Sequence, residues 1–130
     1  ISQKEMEFFQ RYTLAYQCIL TENMDEAVLL LKPCLQQYPN SVMSSFYLAC
    51  ALMYDKCDKA ALHESRRCLQ LITSISFPRE ERVFQNVRKL RALLLLKNRS
   101  ETTEASELIQ AVLKIDPNDA WAKDLEKLCK

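Results

Sequence analysis

The chain has 130 residues, 48% apolar and 27% charged, a composition suited to one hydrophobic core and unlike that of a disordered chain. Eighteen Lys and Arg against seventeen Asp and Glu leave a net charge of +1, which excludes the broad positive field of a protein that lives on phosphate backbones or anionic lipid. Glycine is absent, so neither a P-loop nor a dinucleotide fingerprint can form, and the lack of turn glycines also disfavours hairpin-rich β architecture.

Taken in chain order, Gln3–Leu20 reads as a helix apolar on more than one face. Asn23 then acts as an N-cap, with Glu26 three places on in a capping-box arrangement; the helix runs through Leu31 and stops near Tyr38-Pro39-Asn40. Pro33 falls inside it and is expected to kink it. Ser41–Tyr54 forms a third helix, Lys59-Ala60-Ala61-Leu62 opens a fourth, and Pro78–Lys97 spans a fifth. Ser100-Glu101-Thr102-Thr103-Glu104-Ala105 starts the sixth, whose Leu108, Ile109, Val112, Leu113 and Ile115 recur at helical spacing until Asp116-Pro117-Asn118. A short amphipathic helix over 119–128 closes the chain, with Trp121, Leu125 and Leu128 inward and Lys123, Asp124, Lys127 and Lys130 outward.

About seven helices joined by short polar turns predict an all-α stack of antiparallel helical hairpins. The longest apolar run, Ala92–Leu96, falls far short of the ~20 residues of a membrane span. The start of the chain lacks a signal peptide's basic and apolar regions, and a beginning at Ile1 reads as a domain excised from a longer protein. Most of the six cysteines (Cys18, Cys34, Cys50, Cys57, Cys68, Cys129) sit in apolar helical runs, where a thiol behaves as a small hydrophobe. Cys57, His63 and Cys68 fit no zinc spacing. No metal or cofactor is therefore expected, and the setting is read as reducing and intracellular, cytoplasmic or nuclear.

The segment from Glu104 to Ala120 (EASELIQAVLKIDPNDA) resembles the second helix of a tetratricopeptide repeat and its Asp-Pro-Asn link to the next repeat. Tyr47-Leu48-Ala49-Cys50-Ala51-Leu52 resembles the first-helix core, and Leu14, Ala15 and Cys18 take the corresponding places in the first unit. Ala27 and Ala61 stand 34 residues apart, the length of that repeat; Ala61 and Ala105 stand 44 apart, the excess falling around residues 72–81. The resemblance implies a right-handed α-solenoid with units at about 8–41, 42–75 and 86–119 and a capping helix at about 119–129. The motif is degenerate. Arg11, Ser45 and Lys89 occupy the tryptophan position, and Thr73 stands where a proline is expected. In such hairpins Ala15, Ala27, Ala49, Ala61 and Ala105 let backbones approach, while Leu14, Leu48, Leu52, Leu31, Ile109 and their like fill the layers.

Chemistry is sparse. His63 is the lone histidine, on a charged helix face, and the carboxylates cluster at helix starts, where they complement the dipole. No acid/base pair or nucleophile–base pair emerges, so the chain is read as non-catalytic. The resemblance implies a concave groove lined by the first helices. Its residues here are Phe9, Tyr12 and Tyr16, then Met43, Phe46, Cys50 and Met53, then Val87, Leu90, Leu94 and Lys97. That lining is aromatic and apolar, and it suits a peptide or amphipathic helix of another protein, unless a neighbouring repeat or a second copy covers it.

The heat-shock chaperone tail bound by many members of the family needs Lys and Asn in the first repeat, Asn in the second and a Lys-x-x-x-Arg pair in the third. Tyr12, Tyr16 and Tyr47 take matching places, and Arg88, Lys89 and Arg91 are wrongly spaced, which argues against that ligand. A basic cluster of Arg79, Arg82, Arg88, Lys89 and Arg91 offers a contact for an acidic partner. With only Phe84 interleaved, it argues against nucleic acid, though an RNA-associated subunit using that strip stays open. So does a segment of a larger solenoid in a multi-subunit complex. The leading expectation is a protein-interaction module or scaffold.

Overall fold

A computed structural model describes residues 2–129. Among them are seven α-helices and no strand: α1 (Gln3–Leu20), α2 (Met24–Gln37), α3 (Val42–Tyr54), α4 (Asp58–Ser74), α5 (Arg82–Lys97), α6 (Thr102–Ile115) and α7 (Ala120–Leu128). Ser2, Ser41 and Asp119 cap α1, α3 and α7, each side chain accepting from the backbone N–H three residues on. Asn23 and Ser100 do not cap by side chain. Asn23 spends its backbone in the preceding turn, and α6 begins only at Thr102, after Glu101. The fifth helix starts at Arg82 rather than at Pro78. Glu81 N–H donates to the Pro78 carbonyl, and the Gln85 amide donates to the carbonyls of Arg79 and Glu81, so a closed turn replaces the expected first helical turn. Helix α2 runs unbroken through Pro33; the bond that proline removes would have gone to the carbonyl of Leu29, a residue 65% exposed, where water can satisfy it.

Contacts divide the chain into two compact units, Ile1–Glu64 and Ser65–Lys130, with the division inside α4. In the first, α2 packs on α1 and α3, and α1 touches α3. Ala15, Ala27, Ala49, Ala51 and Ala61 are wholly buried there with Leu31 and Cys34, and Ser45 donates to the buried Glu64 carboxylate at 2.6 Å. In the second, α5, α6 and α7 pack on one another around Phe84, Leu94, Leu95, Ala105, Ile109, Val112 and Leu125.

Two expectations about the interior change. Leu14 is 49% exposed, on the outer side of α1. In α7 the inward seam is Ala122 and Leu125, which leaves Leu128 exposed and Trp121 on the flank; Lys130 lies outside the described residues. None of the six cysteines, all described, forms a disulfide. Among the described residues, no helix is long and apolar enough to cross a membrane.

The turns α1–α2, α3–α4 and α5–α6 share one construction. Glu22, Lys56 and Arg99 have φ of 63°, 63° and 51°. Each donates its N–H to the carbonyl three residues back, and the following residue (Asn23, Cys57, Ser100) donates to the carbonyl five back. This is the Schellman helix ending, built here without the glycine that suits its left-handed residue. Lys56→Gly and Arg99→Gly are each expected to stabilise the protein by about 0.5–1 kcal/mol, and a β-branched Lys56→Val to destabilise it, in urea unfolding.

Candidate functional site

In the first unit, α1 presents Phe9, Tyr12 and Tyr16 at spacings of three and four, so they share one helix face. Phe8 lies beside them, α3 supplies Met43, Phe46 and Tyr47, and Tyr38 stands just after α2. Tyr47 is the hub. Its ring lies 5.8 Å from Tyr12, 5.4 Å from Tyr16 and 5.7 Å from Phe46, the last two edge-on. Phe8 extends the cluster, stacked on Tyr12 at 5.9 Å and edge-on to Tyr38 at 4.6 Å. Phe9 and Tyr16 remain 52% and 41% exposed; Tyr12, Met43, Phe46 and Cys50 are half-buried. A cavity of about 580 Å³, lined by Glu5, Phe8, Phe9, Tyr38, Pro39 and Ser41 among others, opens at one end of the cluster.

Phe8, Tyr38 and Tyr47 belong to this site although the groove positions of the sequence analysis omitted them. Tyr47 follows Met43 by one helical turn, a signal within reach of the sequence. Tyr38 was not: it reaches Phe8 only because α2 folds back on α1.

Burial, and then the neighbouring Tyr47 hydroxyl, pushes the Tyr12 phenol far above its ordinary value; Tyr47 is raised as well, chiefly by burial. Such a face is neutral at physiological pH and offers ring surface with a few hydroxyl groups. Burial also raises the Cys34 and Cys129 thiols, which disfavours the thiolate a nucleophile would need.

The second unit does not supply the expected apolar lining. Val87, Leu90 and Leu94 are 1%, 2% and 0% exposed, and Met53 in the first unit is 8% exposed, so none of the four presents a surface to a ligand. The reason in α5 is that it packs against both α6 and α7 and buries side chains around most of its circumference. Lys97 is exposed, at the end of α5.

The basic cluster also divides. Lys89 is buried, bound to Asp119 at 2.7 Å, with its ammonium 5.1 Å from the Trp121 ring centroid. Arg91 is buried, its Nε on Glu104 at 3.0 Å and its Nη1 on Ser65 at 3.3 Å. Both are thereby withdrawn from any acidic partner and hold the helices of their own unit. Arg79 and Arg82 are exposed and Arg88 half-buried. His63 is exposed, and no group of His, Cys, Asp or Glu among the described residues could hold a metal ion.

Burial alone would raise the Asp119 carboxyl, but the Lys89 hydrogen bond, the Ala122 amide and the Lys89 charge outweigh it and hold the group below its usual value. The stability this contributes is present above the unfolded value near 3.9 and is lost as pH falls through the lower folded value. Asp119→Ala, which also leaves Lys89 buried without its partner and removes the α7 cap, is expected to cost about 3 kcal/mol at neutral pH and to flatten acid unfolding below pH ~4. For the tyrosines the sign is opposite: folded values above the ordinary ~10 withhold ionisation from Tyr12 and Tyr47 until higher pH. Absorbance titration at 295 nm should show a late component that Tyr12→Phe diminishes.

Among the solved structures similar to this chain are three tetratricopeptide repeat domains. The first TPR of Spaghetti (RPAP3), bound to the HSP90 peptide SRMEEVD, matches with a TM-score of 0.80 at 14% identity over 95% of this chain and 90% of that one. The NMR structure of the first TPR domain of human RPAP3 matches at 0.76 and 15%, over 94% and 88%. The TPR2B domain of yeast Sti1, from a pHsp70 complex, matches at 0.74 and 14%, over 95% and 94%. No protein-family model matches the sequence, and no curated protein is significantly similar to it. The fold is that of tetratricopeptide repeat domains, as the resemblance in the sequence implied.

Proposed function

With the tetratricopeptide repeat fold as premise, we propose that this protein is a non-catalytic protein-interaction module. The aromatic face of its first unit, from Phe9, Tyr12 and Tyr16 to Met43, Phe46, Tyr47 and Cys50, docks an apolar or amphipathic peptide of a partner protein. The observation that carries this reading is the ring cluster centred on Tyr47, with Phe9 and Tyr16 left 52% and 41% exposed. Aromatic rings held rigid by one another supply large contact area at little entropic cost, and exposed apolar patches of this kind mark interaction sites. Met43 adds a flexible contact that adapts to the ligand.

Two of the similar structures come from complexes with chaperone peptides. Here the residues matching the acidic-tail clamp are Tyr12, Tyr16 and Tyr47, none of them cationic, while Lys89 and Arg91 are bound to Asp119 and Glu104. A terminal carboxylate brought to these three tyrosines would meet phenol hydroxyls in place of the clamp's cation and amide donors. This supports a ligand whose anchors are apolar side chains rather than a free acidic tail. The same two internal ion pairs interrupt the basic strip that an RNA-associated subunit would use.

Fluorescently labelled SRMEEVD is expected to show no saturable binding below about 1 mM by anisotropy. Affinity capture with the intact protein is compared with that of a Tyr16→Arg/Phe46→Asp variant whose fold is verified by circular dichroism. Partners captured only by the intact protein are expected. A captured partner's peptide should then lose at least tenfold in affinity to Phe46→Asp, since truncated aromatic anchors typically cost ~2 kcal/mol or more. Identical capture by the two proteins, or tight SRMEEVD binding, overturns the reading.

A further inference from the structure

We propose that the second unit carries a separate anion-binding site in which Arg79 and Arg88 together hold a carboxylate or phosphate group of an acidic partner segment. The two guanidiniums converge on one ring, with Arg88 Cζ 4.4 Å and Arg79 Cζ 5.9 Å from the Phe84 centroid. They share a cavity of about 300 Å³, whose other walls include Thr73 near the end of α4 and Leu108 on α6. All of these residues lie in the second unit, so the inference does not rest on the aromatic face of the first.

The pair is built by the turn that replaced the expected start of α5. Gln85 is 5% exposed; its amide nitrogen donates to the Arg79 carbonyl, and its Oε1 accepts from Arg88 Nη1 at 2.8 Å. One buried side chain therefore positions both arginines, the first through its backbone and the second through its guanidinium. Stacking on the ring leaves the edge of a guanidinium available for in-plane hydrogen bonds to an oxyanion.

Charge points the same way. Two cations held in one cavity repel, and Arg88 is pulled below the usual arginine value, first by burial and then by Arg79. Among the described residues neither Arg79 nor Arg88 forms an ion pair. Of the two carboxylates that line the cavity, Glu104 is taken by Arg91 at 3.0 Å, and Glu107 is exposed and pairs with neither arginine. With the Arg91–Glu104 pair neutral, two positive charges face one negative charge. An incoming oxyanion offsets that surplus and satisfies donors that no protein group occupies.

The test is a titration of the ¹⁵N-labelled protein with sodium phosphate and with sodium acetate, against sodium chloride at matched ionic strength, following the Nε–Hε signals of Arg79 and Arg88. Both signals should shift saturably, with half-saturation at least tenfold below any chloride response. Arg79→Gln and Arg88→Gln should abolish the shifts, and Arg82→Gln should leave them intact. Arg79 lies in an exposed turn, so Arg79→Gln keeps the test decisive even if Arg88 variants fail to fold. Phosphate saturating below acetate assigns the site to a phosphorylated side chain, and equal saturation assigns it to Asp or Glu. A response equal to that of chloride, or one that survives Arg79→Gln, overturns the proposal.

Discussion

Everything in this molecule rests on helices approaching one another over side chains no larger than a methyl group. Ala15, Ala27, Ala49, Ala51 and Ala61 in the first unit, and Ala92, Ala105 and Ala122 in the second, have no exposed surface. Helix axes can then close to the short end of the 8–10 Å packing range, and larger residues on either side interdigitate. The alanines bring little apolar area themselves. That comes from Leu31, Ile72, Phe84, Leu94, Leu95 and Ile109, each worth roughly 1.5–3 kcal/mol when fully buried. Ser44 and Ser45, equally buried, keep the same small size and carry their hydroxyls into hydrogen bonds with Ser41 and Glu64.

With the seams this tight, the two units use their remaining positions differently. In the first, α1 and α3 project rings that lean on one another and leave part of their area uncovered. In the second, α5 spends two long cations on its own neighbours: Lys89 ties it to the start of α7, and Arg91 ties it to α6. Ion pairs built on a buried cation add little net stability compared with a well-packed apolar substitute, yet losing Asp119 or Glu104 is costly because the cation stays buried. They hold helices in place while withdrawing charge from the surface. Two arginines without such a partner, Arg79 and Arg88, are gathered on Phe84 by Gln85.

The hairpin turns follow from the same constraint. Tight seams need short connections, and three times the chain leaves its first helix through one left-handed residue with the same pair of backbone bonds. Glu22, Lys56 and Arg99 tolerate that conformation because each sits in an exposed turn, where an unbranched side chain extends into water. The backbone bonds, rather than a glycine, enforce the turn.

The sequence by itself determined the number, order and most boundaries of the helices. Their signals are local: a proline stop and apolar residues at helical spacing, whereas the caps expected at Asn23 and Ser100 did not form. It also contained much of the aromatic face, because Phe9, Tyr12 and Tyr16 share a face of a single helix whatever lies around it. Only the tertiary structure decided which residues of α5 would be inside. That helix is apolar on several sides, so periodicity could not choose between a lining role and a core role for Val87, Leu90 and Leu94; packing against both α6 and α7 did. Tertiary structure likewise separated the basic residues, since Lys89 meets Asp119 across 30 residues of sequence and Arg91 meets Glu104 across 13. A charge shows its sign in sequence, but whether it faces water or a partner depends on which helix folds beside it.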